Sequence, residues 1–217
     1  MKACVFDLDG TLVSSSEGIE WAARKAVAEV APQLELVGFA DAIGARVPVL
    51  FARCLPSASP EEVKHVGLAF RRWYDSDGWR RSSLFPGILD TLVLLCASGV
   101  SLHIVTNKPL LPSVAILESN GVRELFRRVV SPDSPPGHAD KVAALTALLT
   151  EELLDPTRTV YVGDTIEDYA AAAAAGTLFV GAAYGYGRGR LRRQEGVVLA
   201  ESGADLCGLL SHALGLD

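Results

Sequence analysis

The chain has 217 residues, nearly half of them hydrophobic, and is long enough to bury a sizeable core as one domain with an insertion or as two. Its net charge of −6 excludes nucleic acid as the main partner, because a protein that follows a phosphate backbone needs a basic face. No apolar run approaches membrane-spanning length, and Cys4, Cys54, Cys96 and Cys207 form no CxxC pair, so a cytoplasmic protein in a reducing compartment is predicted.

The first element is an apolar strand that ends in Asp7-Leu8-Asp9-Gly10-Thr11. Residues i and i+2 of an extended backbone project to the same side, which brings the Asp7 and Asp9 carboxylates together at the strand end. Two carboxylates held close repel unless a cation or a shared proton relieves them. One Asp after a strand is usually a helix cap or a turn former. The pair before Gly-Thr points to chemistry instead.

From about 14 to 84 the pattern is helical throughout. Ser14 and Glu17 have capping-box spacing before Ile19, Trp21 and Ala22. Ser59-Pro60-Glu61-Glu62 predicts a second helix start, with Val63, Val66, Phe70 and Trp73 as its apolar stripe. Gly44–Pro48 is predicted as a loop. It carries Arg46, which reads equally as a solvated cation or as the group that meets a second anionic group on a ligand. The segment is expected to be an inserted lid above the ends of the strands.

Strands and helices alternate beyond it. Strands are predicted at Ser101–Val105, Val129–Val130, Thr159–Val162 and Leu178–Val180, with helices near 87–98, 112–121, 139–150 and 167–175. The alternation predicts an α/β fold, a doubly wound Rossmann-like parallel sheet with an inserted all-helical cap. In such sheets ligands bind beyond the carboxyl ends of the strands. Asp7 with Asp9, Thr106 with Asn107, and Asp164 with Asp168 all arrive at that edge. Taken singly, Asp164 and Asp168 read as a cap and a first-turn acid, and Thr106 as an ordinary strand end. Lys141 reads as a surface charge, although it begins a helix, where the dipole favours acids.

Asp7-Leu8-Asp9-Gly10-Thr11-Leu12, Val105-Thr106-Asn107-Lys108, Lys141 and Gly163-Asp164-Thr165-Ile166-Glu167-Asp168 resemble, in order, the four motifs of the haloacid dehalogenase-like hydrolases. The nearest likeness is to their phosphoglycolate phosphatase-like branch. Phe85-Pro86-Gly87, Ala174-Ala175-Gly176 and Tyr184-Gly185-Tyr186-Gly187 are similar to later landmarks of that branch. The resemblance implies a hydrolase core at 1–13 and 85–217 with a helical cap at 14–84. It implies a Mg²⁺-dependent phosphatase acting on a small phosphomonoester, with no nucleic-acid or membrane partner, as a monomer or homodimer. Asp7 is then the nucleophile and Asp9 the general acid and base. Mg²⁺ is held by Asp7, the Asp9 carbonyl and Asp164, with Asp168 in support. Thr106, the Asn107 N–H and Lys141 hold the phosphate oxygens.

Two departures from the family pattern stand out. Ser14 replaces an acid common among relatives, and Ser131–Asp140 leads into Lys141 where a Lys-Pro pair is frequent. Distance from Asp164 and the helical start favour Lys141 over Lys108 for the phosphate lysine, and His138 reads as an exposed loop residue. The presence of Asp9 excludes a dehalogenase. Lys25 and Lys64, the lysines of the cap, lie outside its predicted loop, which argues against phosphonate chemistry. A phosphosugar mutase and a catalytically silent binding protein are the alternative readings.

Overall fold

The computed structural model describes residues 1–216. In chain order the elements are β1 (Ala3–Phe6), β2 (Val13–Ser14), α1 (Ser16–Val30), α2 (Phe39–Ala42), α3 (Val47–Cys54), α4 (Pro60–Ser76), β3 (Ser83–Leu84), α5 (Ile88–Ala97) and β4 (Ser101–Val105). There follow α6 (Leu110–Ser119), β5 (Arg128–Val130), α7 (Lys141–Glu151), β6 (Thr159–Gly163), α8 (Ile166–Ala175), β7 (Leu178–Ala182), α9 (Arg188–Leu191), β8 (Val198–Ala200) and α10 (Gly203–Leu214).

Six strands pair in parallel in the order β5-β4-β1-β6-β7-β8. β1 is wholly buried between β4 and β6, with Val5 opposite both His103 and Tyr161. Its unbroken apolar run suits a strand covered on both faces. Ala3, Val5, Val105 and Tyr161 share one core cluster with Leu145 and Leu148 of α7 and with Ala171 and Ala172 of α8. The connections run outward on one side of β1 and resume on the other. This switch in strand order opens a crevice at the carboxyl ends.

The chain divides into two compact units, 1–14 with 84–217, and 15–83. The inserted unit is helical. Its α1 and α4 pack together, with Trp21 and Trp73 edge to face at 5.9 Å and the Trp73 indole N–H donating to Glu29 at 2.8 Å. Phe51 meets Phe70 in the same way at 5.5 Å. A full capping box starts α4: Ser59 Oγ accepts from the Glu62 N–H, and the Glu62 carboxylate accepts from the Ser59 N–H at 2.8 Å.

Three local expectations are corrected. Ser14 is spent on β2, so α1 starts at Ser16 behind Ser15, with no side-chain cap bond, and the Ser14–Glu17 box does not form. Pro48 lies inside the first turn of α3 rather than in the loop, a position where its missing N–H has no helical partner to lose. The segment 14–84 also has strand residues at both ends, where β2 and β3 form a two-stranded sheet. Three further elements, α9, β8 and α10, are additions to the sequence reading. Ser202 caps α10 by accepting from the Asp205 N–H at 3.3 Å. Among the described residues, no helix is long and apolar enough to cross a membrane.

Candidate active site

The sheet itself places the first residues of the site. The Asp7 N–H donates to Val162 O at 2.9 Å and the Thr106 N–H to Val130 O at 3.0 Å, so the ladder runs one residue past β1 and β4. Both side chains therefore leave from strand ends with a fixed register. Past Asp7 the chain turns sharply, and Leu8 O accepts from the N–H groups of Leu12 and Val13, both at 3.0 Å. Gly10 makes this possible: its φ is +82°, and a Cβ there would fall 2.4 Å from Asp164 Oδ2.

Asp164 follows β6 and is completely buried. Its Oδ2 accepts from the backbone N–H groups of Tyr186 at 2.7 Å and Gly187 at 3.2 Å. The Tyr184–Gly187 stretch thus serves as its holder, and Tyr184 is itself tied by its hydroxyl to Thr11 O at 2.7 Å. Asp168, in the first turn of α8, uses both carboxylate oxygens. Oδ2 accepts from the Thr165 N–H at 2.9 Å and hydroxyl at 2.6 Å, while Thr165 Oγ1 accepts from the Asp168 N–H in a capping box. Oδ1 accepts from Lys141 Nζ at 2.5 Å and lies 3.0 Å from the Tyr161 hydroxyl.

Lys141, the first residue of α7, is 3% exposed. Its ammonium also stands 3.1 Å from Asp7 Oδ2. The other Asp7 oxygen, Oδ1, is buried with no hydrogen-bond partner. Carboxylate oxygens of Asp7, Asp164 and Asp168 lie within 4.8 Å of one another. Asp9 turns away from this cluster to Lys108, whose Nζ reaches both of its oxygens.

Three buried carboxylates around one buried ammonium leave the cluster short of positive charge. Burial pushes Asp7 up to about 7; Lys141 opposes the rise, and Asp168 and Asp9 add to it. Burial, then Asp168 and Asp7, push Asp164 up to about 8 against the pull of Lys141. Burial works against the charge on Lys141, but Asp168 and Asp7 outweigh it and hold the ammonium well above its usual range. A hard divalent cation fits this set, since every donor is oxygen and one of them, Asp7 Oδ1, is buried and unpartnered.

At the end of β4, Thr106 is buried and its Oγ1 accepts from the Lys108 N–H at 3.2 Å. The half-buried Asn107 donates its side-chain amide to Glu167 Oε2 at 3.2 Å. Arg46 belongs to the other unit: it is half-buried at the entry to α3, where its carbonyl accepts from the Leu50 N–H at 2.9 Å. His138 is half-buried rather than exposed. The fold thus gathers Asp7, Asp164, Asp168 and Lys141 into one cluster, sets Asp9 beside it with Lys108, and carries Thr106 and Asn107 on the strand next to β1. Sequence reasoning missed Tyr161, Thr165 and the Lys108–Asp9 pair. Thr165 and Asp168 have readable capping-box spacing; nothing in the spacing betrays the other two.

Comparison with known proteins gives the chain its relatives. The sequence model of the family described as "Haloacid dehalogenase-like hydrolase" matches residues 4–182. A phosphoglycolate phosphatase of Vibrio cholerae is 34% identical over 197 residues, 87% of each chain. One from Cereibacter sphaeroides is 38% identical over 194 residues, 86% of this chain and 87% of that one. Among solved structures, a haloacid dehalogenase-like family hydrolase from Streptococcus pneumoniae superposes with a TM-score of 0.86 at 25% identity, covering 96% of this chain and 98% of that one. With the family match spanning the motifs and both units, the chain belongs to the haloacid dehalogenase-like hydrolases, and it is a phosphatase of that family.

Proposed function

We propose that the enzyme hydrolyses a small phosphomonoester of the phosphoglycolate kind, with Mg²⁺, through a phosphoaspartyl intermediate on Asp7. The observation that carries this reading is the state of Asp7: buried, fixed by the sheet, one oxygen beside Lys141 and the other without a partner. A carboxylate so placed is a nucleophile with its approach line set in advance.

In the first step an Asp7 oxygen forms a bond to phosphorus, the ester P–O bond breaks, and the leaving alkoxide takes a proton from the Asp9 carboxyl. Water then attacks the same phosphorus, Asp9 takes its proton, and cleavage of the acyl phosphate frees phosphate and restores Asp7. Lys141, Thr106 and the Asn107 N–H hold the non-bridging oxygens, and Asp168 anchors Lys141. Mg²⁺, held by Asp7, the Asp9 carbonyl and Asp164, supplies the charge neutralisation that lets a carboxylate approach a phosphate dianion. The helical unit at 15–83 acts as the substrate-selecting cap, and Arg46 is its candidate for pairing with a substrate carboxylate.

The test is phosphate release from a panel of small phosphomonoesters that includes 2-phosphoglycolate, with Mg²⁺ and with EDTA, for wild type and Asp7→Asn. Metal-dependent release, best on carboxylated esters and lost in the variant, is expected. Release that survives Asp7→Asn overturns the nucleophile. Conversion of a phosphosugar to its isomer without phosphate release assigns the mutase activity instead.

A further inference from the structure

Tyr161 is a tyrosine where a phenylalanine would pack as well. It sits on β6 opposite Val5 of β1, and its ring lies in the buried cluster beside Leu145, Ala171 and Phe179. The hydroxyl reaches across to the far neighbour of β1: it lies 3.1 Å from the carbonyl of Val105, the last residue of β4 and the one before Thr106. It also lies 3.0 Å from Asp168 Oδ1, the oxygen that receives the Lys141 ammonium at 2.5 Å. A fully buried hydroxyl is costly unless it is satisfied, and its one proton is shared between these two acceptors in a three-centre bond.

The two oxygens of Asp168 are held differently. Thr165 fixes Oδ2 through its N–H and its hydroxyl. That grip sets the carboxylate from one edge, to within the play of the hydrogen bonds it makes there. The Tyr161 hydroxyl adds a second hold at Oδ1, the edge that faces Lys141. Lys141 alone cannot do this, since its flexible four-carbon stem follows whichever carboxylate draws it.

We propose that Tyr161 is a positioning residue: by tying Asp168 Oδ1 to the end of β4, it sets where the Lys141 ammonium stands relative to Asp7. The role rests on the reading of Lys141 as the group that holds a phosphoryl oxygen. Without the hydroxyl, the Oδ1 edge is held by Lys141 alone and the pair shifts together, so both the hold on phosphate and the poise of Asp7 change. A displacement of this size near the reacting atoms reaches turnover even when the fold is untouched.

The experiment compares wild type, Tyr161→Phe, Lys141→Ala and the double variant with p-nitrophenyl phosphate as substrate, inorganic phosphate as inhibitor, and thermal melting as the control for folding. Tyr161→Phe keeps the ring and its packing. It is expected to lower kcat about tenfold, on the scale of one hydrogen bond to a charged group. Inhibition by phosphate should weaken several-fold while Tm moves little. In the Lys141→Ala background the same change should have little further effect on kcat/KM, because the group it positions is gone. Wild-type kinetics for Tyr161→Phe overturn the proposal, and so does a lowered Tm with kinetics unchanged. A full, additive effect in the Lys141→Ala background also overturns it, since Tyr161 would then act elsewhere. Wild-type kinetics for Lys141→Ala overturn both this role and the reading on which it rests.

Discussion

Lys108 Nζ spans both carboxylate oxygens of Asp9, at 2.9 and 2.7 Å, while Lys141 reaches the neighbouring acid, Asp7, through one oxygen only. The two lysines therefore divide the two aspartates of the first motif between them. Asp9 is held out of the carboxylate cluster by one cation, and Asp7 is held within it by the other.

This division ranks the lysines. Lys141→Ala removes a charge beside the proposed nucleophile and should lower kcat/KM on the order of 10²–10³-fold. Lys108→Ala should lower it less, about tenfold, but should strand a largely buried Asp9 and cost about 2–3 kcal/mol of stability. Steady-state kinetics with phosphate inhibition, beside melting curves, separate the two. The reverse kinetic order assigns the phosphate oxygens to Lys108.

Asp7→Asn should abolish turnover, by about 10³-fold or more, and leave the fold standing. Because burial penalises charge at this position, the neutral amide should melt at the same temperature as wild type or above it in metal-free buffer at pH 8. A variant that melts well below wild type shows instead that the Asp7–Lys141 pair stabilises the resting fold.

The cluster also predicts how metal and pH interact. Asp7 and Asp164 carry folded values of about 7 and 8 against an ordinary 3.8, so the folded protein holds their protons more tightly than the unfolded chain. Their contribution to stability is complete below the ordinary value and is withdrawn as pH rises through 7 and 8. Metal-free Tm should therefore fall between pH 6 and 8.5. Mg²⁺ should restore it, with an affinity that grows over the same window and with proton release on binding, both measurable by calorimetry in buffers of different ionisation enthalpy. A Mg²⁺ affinity independent of pH from 6 to 8.5 would contradict the assignment of these two acids as ligands.

His103 acts in the opposite direction. It is buried in β4, with Nε2 2.8 Å from Ser101 Oγ and Nδ1 unpartnered. Burial lowers it to about 4; Glu152 opposes the fall, and Arg127 and Arg128 add to it. A depressed folded value means that its stability is present above 6.5 and is lost as pH falls through 4. His103→Phe should therefore flatten the acid limb of a Tm–pH curve. An unchanged limb assigns acid sensitivity to other groups.

Much of this site was legible in the chain because it lies at strand ends. Asp7, Thr106 and Asp164 each follow an apolar run, and the parallel alternation carries all such ends to one edge. Lys141 was legible as an anomaly, a base at a helix start, and its neighbours show why it stands there: Asp7 and Asp168 replace the water a surface lysine would have. What stayed hidden depends on distance through the fold. Lys108 and Lys141 differ in their partners, and no spacing along the chain tells which takes Asp9. Tyr161 looks like one more strand residue until its ring is seen to cross beneath β1. β8 escaped notice because three residues carry too little pattern, and the Ser14–Glu17 box failed because Ser14 pairs as a strand before it can cap.

The hydrogen bonds from the Asp7 and Thr106 N–H groups to Val162 and Val130 make these residues the last rungs of the central ladder rather than passengers on loops. This end of the core therefore has no melting point of its own. Those two amides should exchange with deuterium as slowly as the middle of the sheet, by global opening alone. Heat or denaturant should then silence the enzyme at the transition that dissolves the sheet, and partial inactivation of a still-folded protein would have to begin at residues held by side chains.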